Sequence, residues 1–178
     1  NRELSREVER LRGRVLELEG LADMDAMLPV YNRRAFVREV GRAQSVVSRY
    51  GILSSVVFID LDGFKSVNDR HGHATGDAVL ERVSHALLSG VRSCDMVARL
   101  GGDEFGVLLF KCAGAVARAK GASLTCRIGD VSVITPSGPL QVKASWGAAD
   151  CDADGSVADI LSRADAAMYA NKREAQDF

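Results

Sequence analysis

The chain has 178 residues, 47% of them hydrophobic and 26% charged, which is enough for one well-packed domain and too little for two. Its 23 Lys and Arg against 24 Asp and Glu give a formal net charge of -1. A neutral chain has no overall field to hold nucleic acid or an anionic membrane, so we expect phosphate binding only at a local site. Apolar runs such as residues 56–59 are far shorter than the ~20 residues that cross a bilayer. The chain opens at Asn1 without a secretory signal, and we expect a cytoplasmic fragment of a longer protein.

The first 22 residues carry a heptad pattern. Apolar residues alternate at spacings of four and three, at Leu4, Val8, Leu11, Val15, Leu18 and Ala22. This pattern favours a coiled coil, although about three heptads also fit an amphipathic helix packed on its own domain. We therefore divide the chain into a coiled-coil signalling helix at 1–22 and a globular domain at 23–178.

From residue 32 onward, helical and strand periods alternate. The predicted helices cover residues 32–51, 64–69, 75–88, 113–128 and 157–172. The predicted strands cover residues 55–60, 96–100, 105–110, 131–135 and 140–148. Glycine-containing turns at 101–104 and 136–139 predict two hairpins. We therefore expect an α/β fold in which a mainly antiparallel sheet is flanked by helices.

The four cysteines, Cys94, Cys112, Cys126 and Cys151, form no Cys-x-x-Cys pair and have no histidine at zinc-finger spacing. A chain of this length with this apolar content does not need a disulfide framework. We expect reduced thiols.

The first chemical signal is the segment FIDLDGFK at residues 58–65. Asp60 ends a hydrophobic strand, and Asp62 shares its face if the strand continues. Carboxylates at a strand end suit Mg²⁺, which takes one or two of them together with substrate phosphates. The alternative is that Asp62 and Gly63 only make a turn.

The second signal is the segment RLGGDEF at residues 99–105. Its two glycines let the backbone approach a ligand closely, and Asp103 and Glu104 follow at the tip of the predicted hairpin. A ligand shared by these strand ends favours metal-assisted phosphoryl or nucleotidyl transfer. The alternative is a solvated turn.

The pentapeptide Gly101–Phe105 resembles the signature of the GGDEF family, the diguanylate cyclases. Further motifs follow in the family's order and register, namely Asp25 with Asn32–Phe36, Asp60–Lys65, Asn68–Asp69, Gly72–His73, Gly76–Asp77, and Ala164–Tyr169 with Lys172. The resemblance covers residues 23 to about 174. It implies a nucleotidyl-cyclase fold similar to the polymerase palm. It also implies the condensation of two GTP into cyclic di-GMP with release of two pyrophosphates.

The resemblance also implies roles for single residues. Two divalent metals per active site, Mg²⁺ or Mn²⁺, would be held by Asp60, Asp103 and the backbone carbonyl of Leu61. Asp103 would accept the 3′-hydroxyl proton directly or through metal activation, with Glu104 as a supporting acid. The substrate contacts implied by the resemblance are Asn68 and Asp77 on the guanine edge, His73 and Phe64 beside them, Lys65 and Lys172 on the triphosphate, and Gly101 and Gly102 beneath it.

In this family each 3′-oxygen attacks the α-phosphorus of the other GTP, so the active site lies between two domains. The resemblance therefore implies a homodimer, which the N-terminal helix would hold together. Arg92 and Asp95 resemble the family's inhibitory Arg-x-x-Asp site, which implies cyclic di-GMP as product and inhibitor. A solvated helix end is the alternative there. We expect no nucleic-acid partner and no membrane contact from this fragment.

Two motifs depart from the family. Residues 25–30 read DAMLPV where the family usually has Asp-x-Leu-Thr-Gly-Leu, and the usual Gly-Arg/Lys-Asn is absent after Lys172. Trp146 also stands where a smaller apolar residue is common. The carboxylates are intact, so we expect an active enzyme. The alternative is a catalytically silent module that binds GTP or cyclic di-GMP and regulates a partner.

Overall fold

The computed structural model describes residues 6–7, 10 and 23–176. The predicted heptad seam falls outside these ranges and stays a prediction. In the described part, the helices are α1 (Arg33–Tyr50), α2 (Phe64–His71), α3 (His73–Gly90), α4 (Gly114–Gly129) and α5 (Val157–Gln176). The strands are β1 (Tyr31–Asn32), β2 (Ser54–Asp62), β3 (Met96–Gly101), β4 (Glu104–Phe110), β5 (Ser132–Thr135), β6 (Gly138–Gln141) and β7 (Lys143–Asp150). Among these residues, no helix is both long and apolar enough to cross a bilayer.

The main sheet has the strand order β1-β3-β4-β2-β7. Its β3–β4, β4–β2 and β2–β7 pairs are antiparallel, and β1 runs parallel to β3. The expectation of a mainly antiparallel sheet flanked by helices is therefore confirmed. The two-residue β1 was not predicted, because so short a strand leaves no period in the sequence.

Strand β2 is an internal strand of this sheet, between β4 and β7, and its alternating side chains pack into two cores. Val57, Ile59 and Leu61 join the core under α2, α3 and α4. Val56 and Phe58 pack toward α1 and α5 on the opposite face. Alternation therefore places Asp60 on the α5 side of the sheet, two residues before the end of β2.

The prediction of one strand over residues 140–148 is wrong. Residues 138–141 pair with β5 in a separate hairpin, whereas residues 143–150 pair with β2 in the main sheet. Val142 lies between the two strands and is buried in the core. The change of partner leaves no mark on strand propensity, so the sequence reads as a single strand.

The unusual Trp146 packs against Gly121 of α4. A Cβ added at Gly121 would lie 2.7 Å from Cζ3 of the indole. A glycine inside a helix lowers the stability of that helix, but Gly121 lets α4 cross β7 over the large indole ring.

Candidate active site

Three carboxylates lie near one another where the internal strands β2 and β4 approach the signature hairpin. Asp60 on β2 lies directly opposite Glu104 on β4 in the strand register. Asp103 occupies the turn before Glu104, and its carbonyl accepts a hydrogen bond from the backbone N–H of Leu61 at 3.3 Å. The sheet ladder therefore extends into the turn and fixes the signature hairpin against the end of β2.

Burial perturbs the ionisation of Asp103 and Glu104. Burial raises the pKa of Asp103, and the negative charge of Asp60 raises it further. Burial also raises the pKa of Glu104, with repulsion from Asp60, Asp103 and Asp165. The site therefore carries more negative charge than its surroundings neutralise, which favours a bound cation.

One cation of the chain already lies in this cluster. The ammonium of Lys172, on α5, forms an ion pair with Oδ1 of Asp60. Burial acts to lower the pKa of Lys172, but the Asp60 hydrogen bond and the charges of Asp60, Asp62 and Asp103 outweigh it and raise that pKa. Lys172 is therefore protonated at neutral pH. It was predicted as a triphosphate contact, and the structure places it on the predicted metal ligand.

Strand β2 continues to Asp62, so Asp60 and Asp62 lie on the same face of the strand. Oδ1 of Asp62 accepts a hydrogen bond from the hydroxyl of the buried Ser145 at 2.9 Å. Asp62 is thus the last residue of the strand, and the turn comes at Gly63, whose φ is 69°. Ser145 was missed, because it lies 83 residues from Asp62 in the chain.

Arg99 is a second residue that sequence reasoning left without a role. Its Nε donates to the carbonyl of Gly102 at 2.9 Å, which supports the left-handed backbone at that glycine. Its guanidinium also forms an ion pair with Asp25 at 3.5 Å. Oδ1 of Asp25 accepts from the backbone N–H groups of Met27 and Leu28, each at 3.0 Å. The altered opening loop is thus tied to the signature hairpin. The clue available in the sequence was the position of Arg99 immediately before the hairpin.

The predicted guanine contacts lie on α2 and α3. The side chain of Asn68 lies against Gly76, where an added Cβ would collide with its amide oxygen and come within 3.0 Å of its Cγ. Asp77 follows directly on α3 and is exposed. The structure therefore brings Asn68 to the start of α3, where Asp77 lies. His73 is exposed at the first residue of α3.

The side chain of Phe64, a predicted substrate contact, lies in the core. Only 9% of Phe64 is exposed, and it packs in the core under α2 and α3. Its ring lies 3.2 Å from the Cβ position of Gly76, beside Asn68. Phe64 therefore supports the α2–α3 contact. By contrast, Lys65 on the next position of α2 is exposed.

A cavity of about 370 Å³ opens beside the carboxylates, between α1 and α5. Glu104, Arg33 and Asp165 supply its charged lining, and Phe36 and Phe58 lie among its apolar residues. The positive charge of Arg33 partly offsets the raised pKa of Glu104. Glu104 thus lines this cavity, whereas Asp60 and Asp103 do not.

The predicted inhibitory residues flank the connection between α3 and β3. Oδ2 of Asp95 accepts from the backbone N–H of Arg92 at 3.0 Å, and its Oδ1 accepts from that of Phe110 at 3.1 Å. Arg92 is exposed, and both residues line a pocket of about 220 Å³ that also contains Lys120. Asp95 therefore holds the loop that presents the Arg92 side chain.

The donor set at the ends of β2 and β4 fits a hard divalent cation. Asp60 and Asp103 can offer carboxylate oxygens and Leu61 a backbone carbonyl, and the ammonium of Lys172 contacts the Asp60 carboxylate. Within the described residues, no group of three or more His, Cys, Asp or Glu side chains encloses a metal position. A metal here would therefore need further oxygens from its substrate, as Mg²⁺ in phosphate-transfer sites commonly does.

Comparison with known proteins places this geometry in one family. The family described as "Diguanylate cyclase, GGDEF domain" matches residues 22–177. The chain is 38% identical over 157 residues to "Probable diguanylate cyclase DgcE" of Escherichia coli (strain K12), covering 88% of the chain and 14% of that protein. It is 34% identical over 174 residues to diguanylate cyclase TpbB of Pseudomonas aeruginosa (strain UCBPP-PA14), covering 94% of the chain and 39% of that protein.

A solved structure shows the same fold. The coiled coil and GGDEF domain of DgcB from Caulobacter crescentus, in complex with c-di-GMP, superposes with a TM-score of 0.84 at 28% identity. That match covers 97% of the chain and 92% of the DgcB chain. The chain belongs to the GGDEF family of diguanylate cyclase domains. It spans only 14% and 39% of the two curated relatives named above.

Proposed function

We propose that this chain is a diguanylate cyclase domain that condenses two GTP into cyclic di-GMP and two pyrophosphates. The observation that carries the proposal is the proximity of Asp60, Asp103 and Glu104 at the ends of β2 and β4, beside the ammonium of Lys172. The relatives DgcE and TpbB bear the name of this activity. A silent binding module does not need all three of these carboxylates side by side at the strand ends.

Asp60, Asp103 and the carbonyl of Leu61 would hold the divalent metals, two Mg²⁺ or Mn²⁺ per active site. Bound there, the metals would neutralise phosphate charge and activate the attacking 3′-hydroxyl. Asp103 would accept the proton of that hydroxyl directly or through metal activation. Lys172 and the exposed Lys65 would bind the triphosphate, for which an ammonium is a suitable point charge. Gly101 and Gly102, without side chains at the hairpin tip, leave the backbone open to it.

Guanine would be selected by Asn68 and Asp77. A carboxamide and a carboxylate together satisfy the donors and acceptors on the guanine edge, and a base that lacks them leaves these groups unpaired. His73 is exposed at the same end of α3 and would border the base. Each of these assignments is testable by the ratio of GTP to ATP affinity in the single alanine variants.

Two domains must face each other for the reaction, because each GTP supplies its 3′-oxygen to the α-phosphorus of the other. We infer a homodimer in which the N-terminal heptads raise the local concentration of one domain near the other. Replacing Leu11 and Leu18 by charged residues should then reduce activity in dilute protein and restore it at high concentration. Activity that is unchanged at every dilution would contradict the inference.

The test of the activity is direct. The purified chain is incubated with GTP and Mg²⁺, with Asp103→Asn as the matched control, and the product is identified by mass spectrometry. We expect cyclic di-GMP from the wild type and at least a ~100-fold lower rate from the variant. Tight GTP or cyclic di-GMP binding without any product at micromolar protein would instead establish the silent receptor.

We also propose that Arg92 and Asp95 bind the product and arrest the enzyme. The exposed guanidinium of Arg92 can bind a phosphate or a guanine edge, and Asp95 fixes the loop that carries it. The relative DgcB was solved in complex with c-di-GMP. Added cyclic di-GMP should inhibit the wild type noncompetitively and Arg92→Ala much less. Arg82→Ala, an exposed arginine on α3, serves as the control and should keep wild-type sensitivity. Equal sensitivity of Arg92→Ala and wild type would refute the assignment.

A further inference from the structure

The ion pair between Lys172 and Asp60 has a consequence for metal binding. Asp60 is the carboxylate at the end of β2 that the metal would need, yet one of its oxygens holds a protonated amine. The pair is sheltered, since the side chain of Asp60 is 14% exposed and that of Lys172 28% exposed. A divalent cation on the same carboxylate would therefore lie close to an ammonium in a partly dry site, where like charges repel strongly.

The surroundings explain why an amine is needed there. Asp60 lies opposite Glu104 and next to Asp62 and Asp103, and their combined charge is offset only in part by Arg99 and Arg33 on the neighbouring elements. A cation on Asp60 lowers this repulsion while the domain is without substrate. Lys172 reaches it from α5, whose backbone packs directly on β7 at Gly147. The position of the amine is therefore set by a helix that packs closely against the sheet.

We propose that Lys172 is an exchangeable counterion that competes with the divalent metal for Asp60 until a triphosphate arrives. The triphosphate offers the amine a new anionic partner, so Asp60 is released to the metal as the nucleotide binds. Lys172 thus couples metal binding to nucleotide binding. The idea rests on the proposed function for the identity of the triphosphate, but the competition itself concerns only this chain and a metal ion.

The experiment measures Mn²⁺ binding to the nucleotide-free chain by electron paramagnetic resonance of the free ion. We expect Lys172→Met, which keeps the length of the side chain and removes its charge, to bind Mn²⁺ about fivefold more tightly than wild type. Lys172→Arg, which keeps the charge, should bind it about as weakly as wild type. Lys111→Met is the matched control, because Lys111 is exposed, follows β4 at the end away from Glu104 and forms no ion pair among the described residues. It should leave the Mn²⁺ affinity unchanged.

Direct competition must be distinguished from a general loss of positive charge. The titrations are therefore repeated in 1 M KCl, where the screening length falls to about 3 Å and remote charges lose their influence. The difference between Lys172→Met and wild type should persist, because the two groups are in contact. Its disappearance in high salt, or Mn²⁺ affinity in Lys172→Met equal to or weaker than wild type, would overturn the proposal.

The coupling to nucleotide gives a second readout. In Lys172→Met, a non-hydrolysable GTP analogue should bind about tenfold more weakly, and the gain in Mn²⁺ affinity that it produces should be smaller than in wild type. Circular dichroism verifies folding, and Lys172→Gln replaces the methionine variant if that one unfolds. A chain that makes no cyclic di-GMP but shows tighter Mn²⁺ binding in Lys172→Met would refute the proposed activity alone. A chain that makes cyclic di-GMP but shows no tighter Mn²⁺ binding in Lys172→Met would refute the counterion proposal and leave the proposed activity standing.

Discussion

Gly147 is a position where the packing leaves no room for a side chain. This residue of β7 lies directly beneath α5, and a Cβ added there would collide with the backbone nitrogen of Met168. It would also lie 2.5 Å from the carbonyl carbon of Ala167 and 2.6 Å from the carbonyl oxygen of Ala164. All three atoms belong to the helix backbone, so no change of rotamer can relieve the contact. Gly147→Ala must move α5 away from the sheet.

The size of the displacement follows from these distances. A comfortable carbon–carbon contact needs about 3.5 Å, so the 2.5 Å separation has to grow by about 1 Å. Overpacking of this kind costs about 3 kcal/mol, which corresponds to a Tm lower by roughly 6–12 °C. Because α5 also carries Lys172 to Asp60, a shift of about 1 Å should lower kcat/KM for GTP by as much as ~100-fold.

Thermal unfolding followed by circular dichroism measures the first effect, and GTP turnover at a temperature where the variant is folded measures the second. Gly129→Ala is the control, because a Cβ at the last residue of α4 meets no atom within 4 Å. That variant should unfold within about 2 °C of wild type. A Gly147→Ala protein as stable as Gly129→Ala would refute the close approach of α5 to the sheet.

Two further predictions concern the guanine contacts and the start of the domain. Gly76→Ala should push the Asn68 amide out of place and raise KM for GTP about tenfold, the cost of a hydrogen bond or two; steady-state kinetics with an unchanged KM would contradict this. Asp23 forms ion pairs with Arg38 and Arg34, and hydrogen bonding to Arg38 lowers the pKa of Asp23. A lowered pKa stabilises the fold above the ordinary value of about 4 and ceases to do so as pH falls through the lowered value. Asp23→Asn should therefore lower Tm at pH 7, and the difference from wild type should shrink below pH 4; a difference independent of pH would exclude the ion pair as its source.

Much of the fold could be predicted because it depends on residues that are close together in the sequence. Helix α1 is capped at its N-terminus by Asn32, whose side chain accepts a hydrogen bond from the N–H of Ala35. At its other end it is capped by Gly51 in the left-handed conformation. Strand β2 reads as a continuous apolar run because both of its faces are buried. Such signals involve residues a few positions apart. These signals can therefore be recognised without knowing how the rest of the chain folds.

The errors lie where one segment changes partners. Residues 138–141 and 143–150 have similar strand propensity, and only the packing of Val142 into the core and the pairing of β7 with β2 divide them. Trp146 and Gly121 show the same limit. Each looks unfavourable alone, and their contact forms only when α4 is laid across β7.

The sequence by itself determined the family, the alternation of helices and strands, and which carboxylates stand at strand ends, because motifs and periods are local properties of the chain. The tertiary structure alone decided what those carboxylates contact. Lys172 reaches Asp60 from 112 residues away, and Ser145 reaches Asp62 from 83 residues away. Both contacts exist because β2 lies between β4 and β7 and because α5 packs on that face of the sheet. No spacing in the sequence encodes that neighbourhood, since it results from the order in which the strands pair.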